Sequence, residues 1–125
     1  MDVVNEAVKL ADEIADIIKN SRIYKDYRVA LANIENDENT MEKIKQFKAK
    51  HLEYARERMN GTEDFDKEKY ISQELYKILL NEDAKIFFKN EEELIGLIAE
   101  IYSRVAAFPV ADFFSISTCS VNYIL

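Results

Sequence analysis

The 125-residue sequence carries 24 acidic against 17 basic side chains, which gives a formal net charge of -7. A global negative field repels phosphate backbones, so autonomous nucleic-acid binding is disfavoured. A hydrophobic share of 48% with 33% charged residues is typical of one globular domain and excludes a disordered chain. Two Gly and one Pro are too few for the corners of a β-rich protein, so long helices are favoured.

The first residues, MDVVNEAVKLADE, are acidic where a signal peptide is basic. No run of about 18 uncharged apolar residues suggests a membrane span. Cys119 is the single cysteine, which excludes an intramolecular disulfide and fits a reducing compartment. We therefore expect a cytoplasmic protein that does not insert into membranes.

Apolar residues at steps of four and three predict an amphipathic first helix. The stripe continues through residues 21–34, and no Gly or Pro interrupts it. Asn20 and Ser21 either cap a second helix or mark a kink in one long helix. The stripe of the first helix consists of Val3, Ala7, Leu10, Ile14 and Ile17.

The polar stretch NDENT predicts the end of this helical region, and one of Asp37, Asn39 or Thr40 caps the third helix. The third helix is predicted to end at Asn60 and Gly61, because glycine readily adopts the left-handed conformation of a helix C-terminus. Its inward residues are predicted to be Met41, Ile44, Phe47, Leu52, Ala55 and Met59.

Asp64 or Asp66 is predicted to open a fourth helix, and Asn81 or Asp83 a fifth that continues almost to Pro109. The fifth helix has a wide apolar stripe, so we expect it to be the most buried element. The fold class is therefore all-α: an antiparallel bundle of four to five helices over residues 1–107, with a long C-terminal helix and an apolar tail over 108–125. The inward residues of the fourth helix are predicted to be Ile71, Leu75, Ile78 and Leu79.

His51 is the only histidine, and its helical neighbours are Phe47, Lys48, Tyr54 and Ala55. None of these side chains is a good zinc ligand, and none is a carboxylate that could orient a general base. The pattern is typical of a histidine at the boundary of a helix. We therefore predict no catalytic site and no metal site here.

Glu91 lies on the apolar stripe of the fifth helix, one turn after Phe87. It either reaches water from the edge of the stripe or is a half-buried charge that needs a Lys or Arg partner from another helix. Cys119 is predicted to be a small buried hydrophobe, because one thiolate cannot hold an iron–sulfur cluster. No cofactor is expected.

The stretch 42–58 carries six Lys or Arg residues against three Glu. It is interpreted as a solvated helix face with Glu/Lys pairs. The alternative is a local RNA-binding face, which would lose affinity steeply with added salt.

Several landmarks resemble the YlbF/YmcA family of small helical proteins from Firmicutes, which includes YheA-like members. The resemblance extends from about Ile14 to Ile101 and begins with IADIIKNS at 14–21. It ends with LNEDAKIFFKNEEEL at 80–94, an Asn-containing turn that leads into a helix. Between these blocks the matching positions are Tyr27, Ile34, Asp37, Phe47, Tyr54 and Gly61.

The resemblance implies a non-catalytic adaptor that forms homo-oligomers or complexes with related subunits. The better-studied members resemble accessory regulators of competence, sporulation and biofilm development that assist a membrane-bound endoribonuclease in RNA processing. Some relatives bind iron–sulfur clusters through several C-terminal cysteines, whereas here only Cys119 follows Phe108. The alternative function is a self-assembling helical protein with a structural or scaffolding role.

The tail FPVADFFSISTCSVNYIL alternates apolar with smaller or polar residues, as a half-buried extended segment does. Pro109 blocks continuation of the helix. An exposed segment of this kind promotes aggregation, so we expect the bundle or, preferably, a neighbouring subunit to cover it; an unstructured end is the alternative. The candidate interface residues are Phe108, Val110, Phe113, Phe114, Ile116, Val121, Tyr123 and Leu125.

Overall fold

A computed structural model describes residues 2–108, all of whose regular structure is helical. This confirms the predicted fold class. Met1 and residues 109–125 lie outside the described residues, so the predicted extended tail after Phe108 does too. The five helices are α1 (Val3–Lys19), α2 (Arg22–Glu35), α3 (Glu38–Met59), α4 (Phe65–Leu79) and α5 (Glu82–Val105).

Side-chain caps determine where the helices begin. Ser21 separates α1 from α2, because its hydroxyl accepts a hydrogen bond from the Tyr24 N–H at 3.2 Å and donates one to the Ile18 carbonyl at 2.6 Å. Asp37 and Asp64 cap α3 and α4, and each is one of the candidates that the sequence left open for its helix. Asn81 caps α5.

The connection after α3 is a tight left-handed turn. Gly61 has a φ of +86°, the conformation predicted for it. The Thr62 N–H donates to the Glu57 carbonyl at 3.0 Å, which satisfies an acceptor that the end of the helix would otherwise leave unpaired. This turn reverses the chain and places α4 antiparallel to α3.

Contacts between the helices define their directions. Lys50 of α3 contacts Tyr70 of α4, and Lys67 of α4 contacts Glu57 of α3. The contacts therefore follow opposite orders along the two helices, which run antiparallel. Phe47 packs edge-to-face on Phe88 with ring centroids 6.1 Å apart. Together with the Asn81–Thr40 contact at 3.4 Å, this shows that α3 and α5 run parallel.

One apolar cluster joins α2, α3, α4 and α5. Ile34 of α2 is completely buried at its centre, and the rings of Tyr27, Phe47 and Phe88 pack against its edge. Of the predicted inward residues of α3, only Met59 is exposed, at 55%. The buried members of the cluster are Ala30, Ile34, Ile44, Ile78, Ala84 and Phe87.

The expectation that α5 is the most buried element is wrong. Buried side chains in α5 stop at Leu94, and α3 has more buried residues than α5, so α5 is not the most buried element. The predicted stripe of α1 contributes no buried residue, and Val3 and Ile17 are 78% and 71% exposed. α1 packs mainly on α2, and the core cluster contacts α5 in its first half, at Ala84, Phe87 and Phe88.

Candidate functional site: interaction surfaces of the helical bundle

Glu91 lies where α2, α3 and α5 meet. Its carboxylate pairs with the ammonium group of Lys48 from α3, and its side chain is only 16% exposed. The Lys48 nitrogen also lies 5.4 Å from the centre of the Phe87 ring and 5.8 Å from that of Phe88. The carboxylate and the negative ring faces therefore hold one cation together.

The same junction affects Tyr27 of α2. Burial raises the pKa of the Tyr27 phenol above its ordinary value of 10.0, and the negative charge of Glu91 raises it further. The ion pair thus depends on the packing of α3 against α5, whereas the raised pKa of the Tyr27 phenol depends on the packing of α2 against α5. The arrangement connects three helices through one ion pair and its neighbouring rings.

A cleft of about 470 Å³ opens between α3, α4 and their connection. Tyr54 forms part of its floor and donates a hydrogen bond to Glu68 at 3.4 Å. Burial raises the pKa of this phenol, and the Glu68 carboxylate adds to the effect. The Arg58 guanidinium lies 5.9 Å from the Tyr54 ring centre.

His51 borders this cleft and is half-buried. Its ring stacks on Phe47 with centroids 5.8 Å apart and planes inclined by 16°. Between residues 2 and 108, no group of three or more His, Cys, Asp or Glu side chains could hold a metal ion. Cys119 lies outside the described residues.

Three of the six basic residues of the stretch 42–58 make contacts with rings or a carboxylate within the chain. Lys48 pairs with Glu91, and the Lys50 nitrogen lies 4.9 Å from the Tyr70 ring centre. Arg58 lies over Tyr54. Because these cations meet the protein's own rings and carboxylate, they are less available for phosphate groups than a free basic face would be.

Among residues 2–108, α1 carries more exposed large hydrophobic side chains than any other helix. Ten of its 17 residues are apolar, and they cover about half of its circumference at 100° per residue. The spacing of these residues predicted the stripe, but it gave no sign that the stripe would remain exposed. Its most exposed side chains are Val3, Val4, Val8, Leu10 and Ile17.

Phe108 is the one candidate interface residue of the tail that the structure describes, and it is 55% exposed. The other members, from Val110 to Leu125, lie outside the described residues. No helix in the described part of the chain is both long and apolar enough to cross a bilayer.

The fold and these surfaces define a small all-helical protein that presents apolar helix faces. A family described as control of competence regulator ComK, YlbF/YmcA, matches residues 7–107. The chain belongs to the YlbF/YmcA family, as its sequence landmarks predicted. This is a regulatory family and not a known enzyme family.

Two curated relatives carry the name UPF0342 protein. The protein from Caldicellulosiruptor saccharolyticus is 33% identical over 98 residues, which cover 78% of this chain and 82% of the relative. The protein from Caldicellulosiruptor bescii is 34% identical with the same coverage. No solved structure matches the chain.

Proposed function

We propose that this protein is a non-catalytic cytoplasmic adaptor that regulates RNA processing and development through contacts with other proteins. Membership of a regulatory family supports this function, and so does the exposed apolar face of α1. Exposed apolar surface on this scale is typical of protein–protein interaction sites. The proposed partners are a ribonuclease complex or related subunits, together with further copies of this chain.

The tail over 108–125 is proposed as a second interaction surface, separate from the helical domain over 1–107. Its apolar residues would contact a neighbouring subunit or partner. Direct RNA binding is not part of the proposal, because the net charge is -7 and basic residues of α3 meet the protein's own groups.

Affinity capture of the full-length chain from a native lysate tests the proposal. We expect an endoribonuclease or a related family member to be enriched after nuclease treatment, which removes partners bridged by RNA. A matched capture uses Glu91→Ala, which weakens the junction of three helices but leaves the face of α1 unchanged. Recovery of neither class of partner with the wild-type chain would contradict the adaptor role.

A second candidate function is structural self-assembly, which the uncovered face of α1 favours. Light scattering coupled to size exclusion distinguishes the two functions when combined with the capture experiment. An oligomer that recruits no other protein indicates the scaffolding role, whereas an oligomer that also recruits a ribonuclease indicates the adaptor role.

A further inference from the structure

The N-terminal half of α1 has no covering element among residues 2–108. Val3, Val4 and Leu10 are 78%, 63% and 53% exposed, whereas Ile14 and Ile18 near the α2 end are half-buried. Apolar residues occupy half of the circumference, which is wider than contact with α2 alone requires. This width is typical of a helix that packs on two neighbours, and within the described chain α1 packs mainly on α2.

The C-terminal half of α5 presents a second apolar face. Ile98 is 44% exposed and Val105 62% exposed, and both lie beyond Leu94, the last buried residue of the helix. Ile101 and Tyr102 between them are half-buried. This face continues the stripe that packs on the core in the first half of α5.

We propose that the exposed face of α1 packs on the C-terminal half of α5 of a second copy of this chain, in a reciprocal twofold dimer. The two faces match in length: residues 3–10 and residues 98–105 each span about 12 Å at the helical rise. In a twofold dimer each copy supplies both faces, so one symmetric arrangement covers all four.

The area supports a second copy as the occupant. The exposed parts of the four large α1 side chains in residues 3–10 and of Ile98 and Val105 amount to roughly 550 Å² per copy, about two-thirds of the ~800 Å² that each partner contributes to a standard interface. Either face alone would fall well short of that area. The inference rests on the self-association part of the proposed function and adds to it a defined interface.

The charge of the chain gives the interface a characteristic salt dependence. Each copy carries a net charge of -7, so two copies repel one another before their apolar faces meet. Added salt screens this repulsion while leaving apolar burial in place. The dimer should therefore tighten as salt rises, whereas docking driven by opposite charges weakens.

Disulfide cross-linking between full-length single-cysteine chains tests the interface. Cys119→Ser removes the only native thiol. In that background, Val4→Cys is placed on one chain and Val105→Cys on another chain of different tag length. Oxidation of the mixture is expected to give the mixed dimer at least tenfold above either variant alone.

Asn5→Cys is the matched control, since Asn5 is exposed on the polar side of α1 next to Val4. It should give no cross-link with Val105→Cys. Predominant Val4–Val4 cross-linking would overturn the proposal in favour of α1 pairing with itself. Equal yields from the Asn5 and Val4 positions would overturn it as random collision.

The chain's own tail is the competing occupant. In the chain that retains Cys119, an intramolecular disulfide between Val4→Cys and Cys119 would show that the tail covers α1, and would overturn the dimer. We expect no such bond.

Sedimentation provides a measurement that does not depend on cross-linking. Val4→Asp should weaken dimerisation at least tenfold while circular dichroism stays unchanged. The dissociation constant of the wild-type dimer should decrease when salt is raised from about 0.05 M to about 0.5 M. A wild-type chain that is monomeric at micromolar concentration overturns the interface. Recovery of a ribonuclease by that monomer would leave the adaptor function standing, so the two failures are distinguishable.

Discussion

α1 and α2 are consecutive amphipathic helices with opposite environments. α1 has 17 residues and no buried side chain, whereas α2 has 14 residues and buries Ala30 and Ile34 almost completely. Both carry apolar residues at helical spacing. The difference teaches that periodicity identifies the apolar face of a helix, while the packing of the whole chain decides whether that face is covered. Four predictions test this contrast, from the largest expected effect to the smallest.

Replacing Ile34 with alanine should lower the free energy of unfolding by about 2–5 kcal/mol, because it leaves a cavity at the centre of the cluster. Urea denaturation at protein concentrations where the chain is monomeric measures the change. Ile17→Ala makes the same chemical change on α1, where the side chain is 71% exposed, and should cost much less. Equal losses for the two variants would contradict the contrast between the helices.

Glu91→Ala should cost about 2 kcal/mol, because it removes a charged hydrogen bond and leaves the half-buried Lys48 without its carboxylate. The pKa of Tyr27 should fall toward its ordinary value, which the difference between the ultraviolet titrations of the wild-type and variant chains measures. Glu100→Ala is the control, since its pair with Arg104 is exposed and should be worth a few tenths of a kcal/mol. An unchanged stability for Glu91→Ala would show that the junction does not hold the helices together.

Ser21→Ala should cost about 1 kcal/mol, since it removes the N-cap of α2 at the break between the two compared helices. Thermal unfolding followed by circular dichroism gives the change. Ser103→Ala serves as the control, because that exposed hydroxyl donates to the Glu100 carbonyl of its own helix and caps no helix start. A loss no larger than that of the control would show that the cap does not separate α1 from α2.

The smallest expected effect is on the stability of the protein at low pH. The Thr40 hydroxyl and backbone donate hydrogen bonds to Asp37 and hold the pKa of its carboxyl below the ordinary 3.8. A depressed pKa contributes stability above the unfolded value, and that stability is lost as pH falls through the folded pKa. Asp37→Asn keeps a capping side chain but cannot titrate, so its stability should fall less steeply below about pH 4. Parallel acid titrations of the two chains measure this; identical slopes would contradict it.

The sequence predicted the helices and most of their boundaries for local reasons. Asp37, Asp64 and Asn81 were each among the candidate caps, because short polar side chains bond the free N–H groups of the first turn. Gly61 marked its turn because it has no Cβ that opposes a positive φ. The charge at Glu91 could also be singled out from the sequence, since a carboxylate interrupts an apolar stripe there.

The partner of Glu91 could not be read from the sequence. Lys48 is 43 residues away and is one of six basic residues in its stretch, and only the parallel packing of α3 and α5 brings it to the carboxylate. The cleft beside His51 depends in the same way on the antiparallel pairing of α3 with α4. Contacts between distant segments depend on how helices pair, which spacing along one helix does not encode.

The sequence by itself determined that this protein is helical, within a few residues where three of its helices begin, and which family it resembles. Those properties depend on backbone hydrogen bonds within a few residues and on the matching of short blocks. Only the tertiary structure decided that the stripe of α2 is buried while that of α1 is exposed. Burial is a property of the space between helices, and the core in this chain forms between α2, α3, α4 and α5, leaving α1 to one side.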